Sequence, residues 1–68
     1  MQKQEIFTGS IIEAYPNTLF KVKLDDGREI KAHLAGKMRL FRIKVLIGDR
    51  VELVLDPYGT LGRIVRRM

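Results

Sequence analysis

The chain has 68 residues and no cysteine, and its 13 Lys and Arg residues outnumber 8 Asp and Glu, giving a net charge of +5 and an isoelectric point near 10.0. This length allows one domain, and the lack of cysteine excludes disulfides and thiolate metal sites. No apolar run, such as Val45 to Ile47, approaches the length of a membrane span. Residues 1 to 5 are polar and lack the apolar segment of a secretory signal, so we expect a cytoplasmic protein.

Alternation of apolar and polar residues dominates the chain and predicts half-buried strands rather than helices. A first strand is expected from Phe7 to Ala14, with Gly9 marking a bend or bulge, and a short last strand from Arg63 to Arg66. The three strands between them are the alternating runs Phe20 to Leu24, Ile30 to Leu34 and Val51 to Leu55.

The central hairpin has a register that its turn residues predict. A two-residue loop of Asp26 and Gly27 would place Val22 opposite Lys31 and mix the core face with the solvent face. A three-residue loop, 25–27, instead pairs Val22 with Ile30, and Gly27 takes the left-handed position of a type I turn with a bulge. The same register pairs Phe20 with Ala32 and Lys23 with Glu29.

About fifteen residues, 35–49, separate the third and fourth strands. Segments of this length usually hold some structure of their own, so residues 37–41 are expected to form a helical turn and residues 43–47 to pack back onto the strands. The pattern therefore predicts an all-β fold, a five-stranded antiparallel barrel of the oligonucleotide/oligosaccharide-binding (OB) type with a short helical insert between strands 3 and 4. One domain spans residues 1–68, with residues 1–4 and 67–68 as flexible tails.

Seven of the thirteen basic residues lie in two segments that contain no acidic residue. The insert patch, residues 37–44, carries four of them, and the C-terminal patch, residues 63–68, carries three. The rest of the chain has six basic and eight acidic residues, so the net positive charge comes from the patches. Concentrated positive charge attracts polyanions and releases their counterions, so both patches are predicted to bind nucleic-acid phosphates.

The apolar residues inside the insert patch leave alternatives open. Met38 and Leu40 are expected to anchor the insert to the barrel, whereas Phe41 either packs there or stacks on an unpaired base. His33 lies on the polar face of strand three, without a partner for catalysis or metal binding. The sequence shows no catalytic motif, phosphate-binding loop or acidic cluster, so we expect neither an enzyme nor a cofactor or metal site.

Five segments, in this order and spacing, strongly resemble bacterial translation initiation factor 1 and its organellar relatives: 16–22, 32–39, 48–51, 57–58 and 62–65. The resemblance implies an OB-fold barrel that binds the small ribosomal subunit at the aminoacyl-tRNA site, beside the decoding-centre helix of the rRNA. It further implies that the protein cooperates with initiation factors 2 and 3 in placing the initiator tRNA. The implied partners are 16S-type rRNA, a neighbouring ribosomal protein and these two factors. We expect the protein to be a monomer and not to bind a membrane. An organellar member would work in the organelle stroma.

Carried over position by position, the family's rRNA contacts fall on both basic patches, and Phe41 is added as a candidate contact that either stacks on a base or packs on the barrel. Three positions depart from the family pattern: Arg42 stands where an aromatic residue is common, Lys44 replaces the usual Arg, and Leu61 stands where a basic residue often precedes the glycine. The expected rRNA-binding residues are Gly36, Lys37, Met38, Arg39, Phe41, Arg42, Lys44, Arg63, Arg66 and Arg67.

Two other functions compete with this one. A general single-strand RNA binder of cold-shock type would carry exposed aromatic residues on neighbouring strands, and the polar faces of strands two and three have none. A small-barrel protein–protein interaction module would need an exposed apolar patch, for which Val54, Leu40 and Phe41 are the candidates.

Overall fold

The computed structural model describes residues 5–68, so the predicted tail at residues 1–4 lies outside the described residues. Within this range, no helix is long and apolar enough to cross a membrane. The elements are β1 (Ile6–Tyr15), β2 (Leu19–Leu24), β3 (Glu29–Leu34), α1 (Gly36–Leu40), β4 (Arg50–Leu55) and β5 (Leu61–Arg67). The five predicted strands and the helical turn are therefore confirmed.

The strands close into a barrel in the order β1-β2-β3-β5-β4, with β4 returning to β1. Four neighbouring pairs are antiparallel, but β3 and β5 run parallel, which corrects the prediction of a wholly antiparallel barrel. The reason is geometric, because strand directions cannot alternate all the way round a closed ring of five. Closure of five strands therefore requires at least one parallel pair.

The predicted hairpin register is confirmed, with Val22 opposite Ile30, Phe20 opposite Ala32 and Lys23 opposite Glu29. The Leu24 N–H donates to the Arg28 carbonyl over 2.7 Å, which closes a three-residue loop. Gly27 has a φ of 97°, as the left-handed position requires.

The irregularity predicted at Gly9 lies instead between Ile11 and Glu13, where the pairing of β1 with β2 shifts register. Gly9 itself pairs regularly, but a Cβ there would lie 2.6 Å from the Lys23 carbonyl oxygen. Beside the bulge, the Ile11 backbone pairs with the end of the insert, donating to the Asp49 carbonyl and accepting from Gly48 N–H. Gly9 therefore permits close strand contact, and the Ile11 hydrogen bonds attach the end of the insert to β1.

The core contains the inward residues of every strand, together with Met38 and Val45 from the insert. The prediction that residues 43–47 pack onto the barrel is right for Val45 only, since Ile43, Leu46 and Ile47 are exposed. Leu40 is also exposed, so it does not anchor the helix. Val54 was a candidate for an exposed apolar patch, but it is buried. Its register partners are Ile6 on β1 and Arg63 on β5.

The C-terminal strand is longer than the sequence predicts. Arg67 belongs to β5 and pairs with Val51, and the Met68 N–H donates to the Arg50 carbonyl over 2.9 Å. These ladder bonds attach residues 67 and 68 to the sheet, where the sequence suggests a tail.

Candidate nucleic-acid interface

Strand direction brings three candidate segments to the same end of the barrel. Because β1, β3 and β5 run one way and β2 and β4 the other, the β1–β2 turn, the insert and the C-terminus share one end. We call this the insert end. The 25–27 loop and the β4–β5 loop, residues 56–60, lie at the opposite end.

The insert is built on a short helix whose C-terminus carries an unusual residue. The Arg42 N–H donates to the Arg39 carbonyl over 3.1 Å, and the Ile43 N–H donates to the Met38 carbonyl over 3.0 Å. These two bonds form the Schellman motif, in which the left-handed residue is usually glycine. Here that residue is Arg42, with a φ of 53°. An L-residue in this conformation costs about 1–2 kcal/mol, so an arginine rather than a glycine at this position lowers stability.

A groove of about 510 Å³ lies beside this helix. Its apolar lining includes Leu34, the buried Met38 and Val45, and three of the four insert cations line it as well. Cations around an apolar surface suit a nucleotide, whose phosphate is anionic and whose base has an apolar face. The three cations are Arg39, Arg42 and Lys44.

The two basic patches form one surface. The Arg67 guanidinium donates from Nη1 to the Lys44 carbonyl oxygen over 3.0 Å, which joins the end of β5 to the insert. At the base of the insert, the Ala35 N–H donates to the Ile64 carbonyl over 2.8 Å. Arg63 precedes Ile64 and lies beside the exposed His33 in the β3–β5 register. Residues far apart in sequence thus contribute charge to the same end of the barrel.

Acidic side chains pair mostly with basic residues outside the patches. Arg50 contacts Asp25 at 2.8 Å, Arg28 contacts Asp26 at 2.9 Å, and Lys21 contacts Glu29 at 3.3 Å. Hydrogen bonds from Arg50 and Thr8 hold the pKa of Asp25 at about 2. Within residues 5–68, the one ion pair that involves a patch residue joins Arg66 to Glu52 at 3.9 Å.

Six patch cations therefore have no ion-pair partner in the part of the chain that the structure describes: Lys37, Arg39, Arg42, Lys44, Arg63 and Arg67. Their positive charge remains available to an external anion. In the same part of the chain, no cluster of three or more His, Asp or Glu side chains is placed to hold a metal ion.

The apolar residues of the insert divide into two groups. Met38 is 2% exposed, so its side chain anchors the helix in the core at the floor of the groove. Phe41 is 66% exposed, which favours the stacking alternative over packing on the barrel. The sequence reasoning missed the exposure of Leu46 and Ile47, which lie in a turn closed by the Asp49 N–H and the Leu46 carbonyl at 3.0 Å. The Gly48-Asp49 pair was the available signal, since glycine at the third position is typical of a type II turn.

A small OB-fold barrel with a continuous cationic surface at one end defines a nucleic-acid-binding protein. Comparisons with known proteins give its family. The family model described as translation initiation factor 1A / IF-1 matches residues 1–68, the whole chain. The chain therefore belongs to the translation initiation factor 1A / IF-1 family.

One solved structure agrees with this assignment, and a second shares the fold. The solution structure of translation initiation factor 1 from the Wolbachia endosymbiont of Brugia malayi is 36% identical, with a TM-score of 0.79 over 98% of this chain and 80% of that one. The crystal structure of YjeQ from Thermotoga maritima is 28% identical, with a TM-score of 0.78 over 94% of this chain. This chain spans only 23% of YjeQ, so that match concerns one part of a larger protein.

Proposed function

We propose that this protein binds the small ribosomal subunit at the aminoacyl-tRNA site, beside the decoding-centre rRNA helix, and assists initiation factors 2 and 3 in selecting the initiator tRNA. Membership of the initiation factor family supports a role in translation initiation. The observation that carries the proposal further is the continuous cationic surface at the insert end, with six cations unpaired among residues 5–68. The protein acts by occupying a site rather than by catalysing a reaction, in the cytoplasm or in an organelle stroma.

Each residue at the insert end has a distinct part in this proposal. Arg39 and Arg42 present planar guanidinium groups that bind phosphates or base edges through two bonds, whereas Lys37 and Lys44 act as point charges. Phe41 stacks on an unpaired base. Arg63, Arg66 and Arg67 extend the positive field along β5, and Met38 supports the helix from the core.

Gly36 contributes by its small size. A Cβ built there would meet no atom of this chain within 4 Å, so the fold does not require glycine at this position. In the proposed complex, the rRNA backbone approaches the start of α1 closely enough that a side chain would obstruct it.

The experiment that tests the proposal compares binding to small subunits, large subunits and poly(U) over a range of salt concentrations. If roughly four to seven phosphates are neutralised, log K falls with log salt at a slope of about −3 to −6. Small subunits should bind much more tightly than the other two. Equal affinity for poly(U) would favour the cold-shock alternative, and a flat salt response would contradict the phosphate argument.

A protein-binding role has one specific observation in its favour. Leu40, Phe41, Leu46 and Ile47 are all exposed on the insert, although Val54 is buried. Within the proposed complex, Leu40, Leu46 and Ile47 contact the neighbouring ribosomal protein or an initiation factor, while Phe41 stacks on the RNA base. Binding that persists unchanged in high salt would identify apolar protein contact as the main interaction.

A further inference from the structure

The end of the barrel opposite the insert presents an aromatic side chain that the surface described above does not use. Tyr58, in the β4–β5 loop, is 87% exposed, more than any other large hydrophobic residue among residues 5–68. An exposed aromatic ring has a large contact area and only two side-chain torsions to order when it binds.

Hydrogen bonds to Asp56 order the loop that carries Tyr58. Asp56 Oδ1 accepts hydrogen bonds from the N–H groups of Thr60 at 2.9 Å and Leu61 at 3.3 Å, and Asp56 Oδ2 accepts one from the Thr60 hydroxyl. These bonds, chiefly the one from the Thr60 backbone, lower the pKa of Asp56. The Gly59 N–H also donates to the Asp56 carbonyl, and Gly59 takes a φ of 70°. The ring is therefore presented by an ordered turn rather than by a loose loop.

A groove of about 210 Å³ lies at the base of this hairpin. Val54, Leu55 and Leu61 line it with apolar groups, and Arg63 supplies a cation. Asp56 also lines the groove, and its carboxylate accepts hydrogen bonds from its own loop. An exposed ring, an apolar groove and the Arg63 guanidinium together match the chemistry of a nucleotide.

We propose that the β4–β5 hairpin is a second RNA contact, in which an unpaired base stacks on Tyr58 and its phosphate binds Arg63. The proposal rests on the proposed function only in taking RNA as the ligand. Arg63 belongs to both surfaces, because it lines the hairpin groove and also lies beside His33 near the base of the insert. RNA thus contacts the protein at both ends of the barrel.

The test compares Tyr58→Ser with Tyr58→Phe, since serine removes the ring and phenylalanine keeps it without the hydroxyl. The probes are small ribosomal subunits and an oligoadenylate of about ten nucleotides at low salt, a length within the usual range for OB folds. Stacking of one base predicts that Tyr58→Ser loses about 5- to 150-fold in affinity for both probes, whereas Tyr58→Phe stays within about 2-fold. Neither variant should change the melting temperature, because the ring is almost fully exposed.

Tyrosine fluorescence gives a second measure of oligoadenylate binding, besides the affinities of the variants. The chain has two tyrosines and no tryptophan, so Tyr15→Phe leaves Tyr58 as the one tyrosine emitter. Oligoadenylate should quench its fluorescence in proportion to binding.

Unchanged oligoadenylate affinity in Tyr58→Ser would overturn the proposal, even if small-subunit binding fell, because the ring would then contact protein. Equal losses in the serine and phenylalanine variants would also overturn it, since the hydroxyl rather than the ring would be responsible. If the wild-type protein does not prefer small subunits, the proposed function fails, but the oligoadenylate comparison still decides the role of Tyr58.

Discussion

Replacing Arg42 with glycine should raise stability and lower RNA affinity at the same time. Arg42 occupies the left-handed position of the Schellman motif with a φ of 53°. Relief of that conformation gains about 1–2 kcal/mol, and the greater backbone freedom of glycine in the unfolded chain removes about 0.5–1 kcal/mol of the gain. The free energy of unfolding should therefore rise by about 0.75 kcal/mol, the middle of a range from about 0 to 1.5 kcal/mol. For a domain of this size, 1 kcal/mol corresponds to roughly 4–8 °C in melting temperature.

The same substitution removes a charge-assisted contact to RNA. Loss of the guanidinium should weaken small-subunit binding by about 1–3 kcal/mol, which is roughly 5- to 150-fold. Arg42→Ala is the matched control, because alanine also lacks the guanidinium but keeps a Cβ in the left-handed conformation. It should lose the same affinity without gaining stability.

Thermal or denaturant unfolding and a small-subunit binding assay measure the two effects separately. Full affinity in Arg42→Gly would refute the assignment of this side chain to the RNA surface. A lower melting temperature in Arg42→Gly would refute the argument from backbone conformation, because it would show that the arginine side chain stabilises the fold.

Three further predictions concern other parts of the chain. Arg39→Ala should weaken small-subunit binding by about 1–3 kcal/mol, whereas Lys23→Ala, which removes the same charge from an exposed strand position outside the patches, should lose clearly less. Equal losses would show that a diffuse field, and not a site, governs binding. Gly36→Ala should preserve or slightly raise the melting temperature, since its Cβ has free space and alanine favours helix, yet it should weaken binding. Unchanged affinity would show that RNA does not approach this backbone. Asp25 has its pKa lowered from 3.8 to about 2, chiefly by Arg50, so its stabilising effect is complete above pH 3.8 and is lost as pH falls through 2. Asp25→Asn should reduce the dependence of unfolding on pH in that window, with a modest effect because both partners are about half exposed; an unchanged pH profile would contradict this account.

Local sequence determined the strands and the pairing of the central hairpin. Alternation fixes which face of each strand is buried, and turn residues fix the loop length, so the Val22–Ile30 register could be derived from neighbouring residues alone. The parallel β3–β5 pair was also accessible to reasoning, because a closed barrel of five strands requires one, although the sequence prediction did not use that constraint. The basic patches were visible as charge without interspersed acid.

The exposure of individual apolar residues depended on tertiary packing. Val45 and Val54 are buried while Leu46 and Ile47 are exposed, and composition does not distinguish these aliphatic residues. Val45 and Val54 are buried because other parts of the barrel pack against them, whereas Leu46 and Ile47 lie in the exposed turn at Gly48. The role of Gly9 likewise appears only when the carbonyl of Lys23 lies against it.

The union of the two patches is also a property of the tertiary structure. Lys44 and Arg67 are 23 residues apart in sequence. Their hydrogen bond can form because β5 runs parallel to β3, so β5 ends at the same end of the barrel as the insert. A sequence records the charge of each segment, whereas the direction and order of the strands decide which segments meet. The charges are therefore a property of the sequence, and the single surface they form is a consequence of the closure of the barrel.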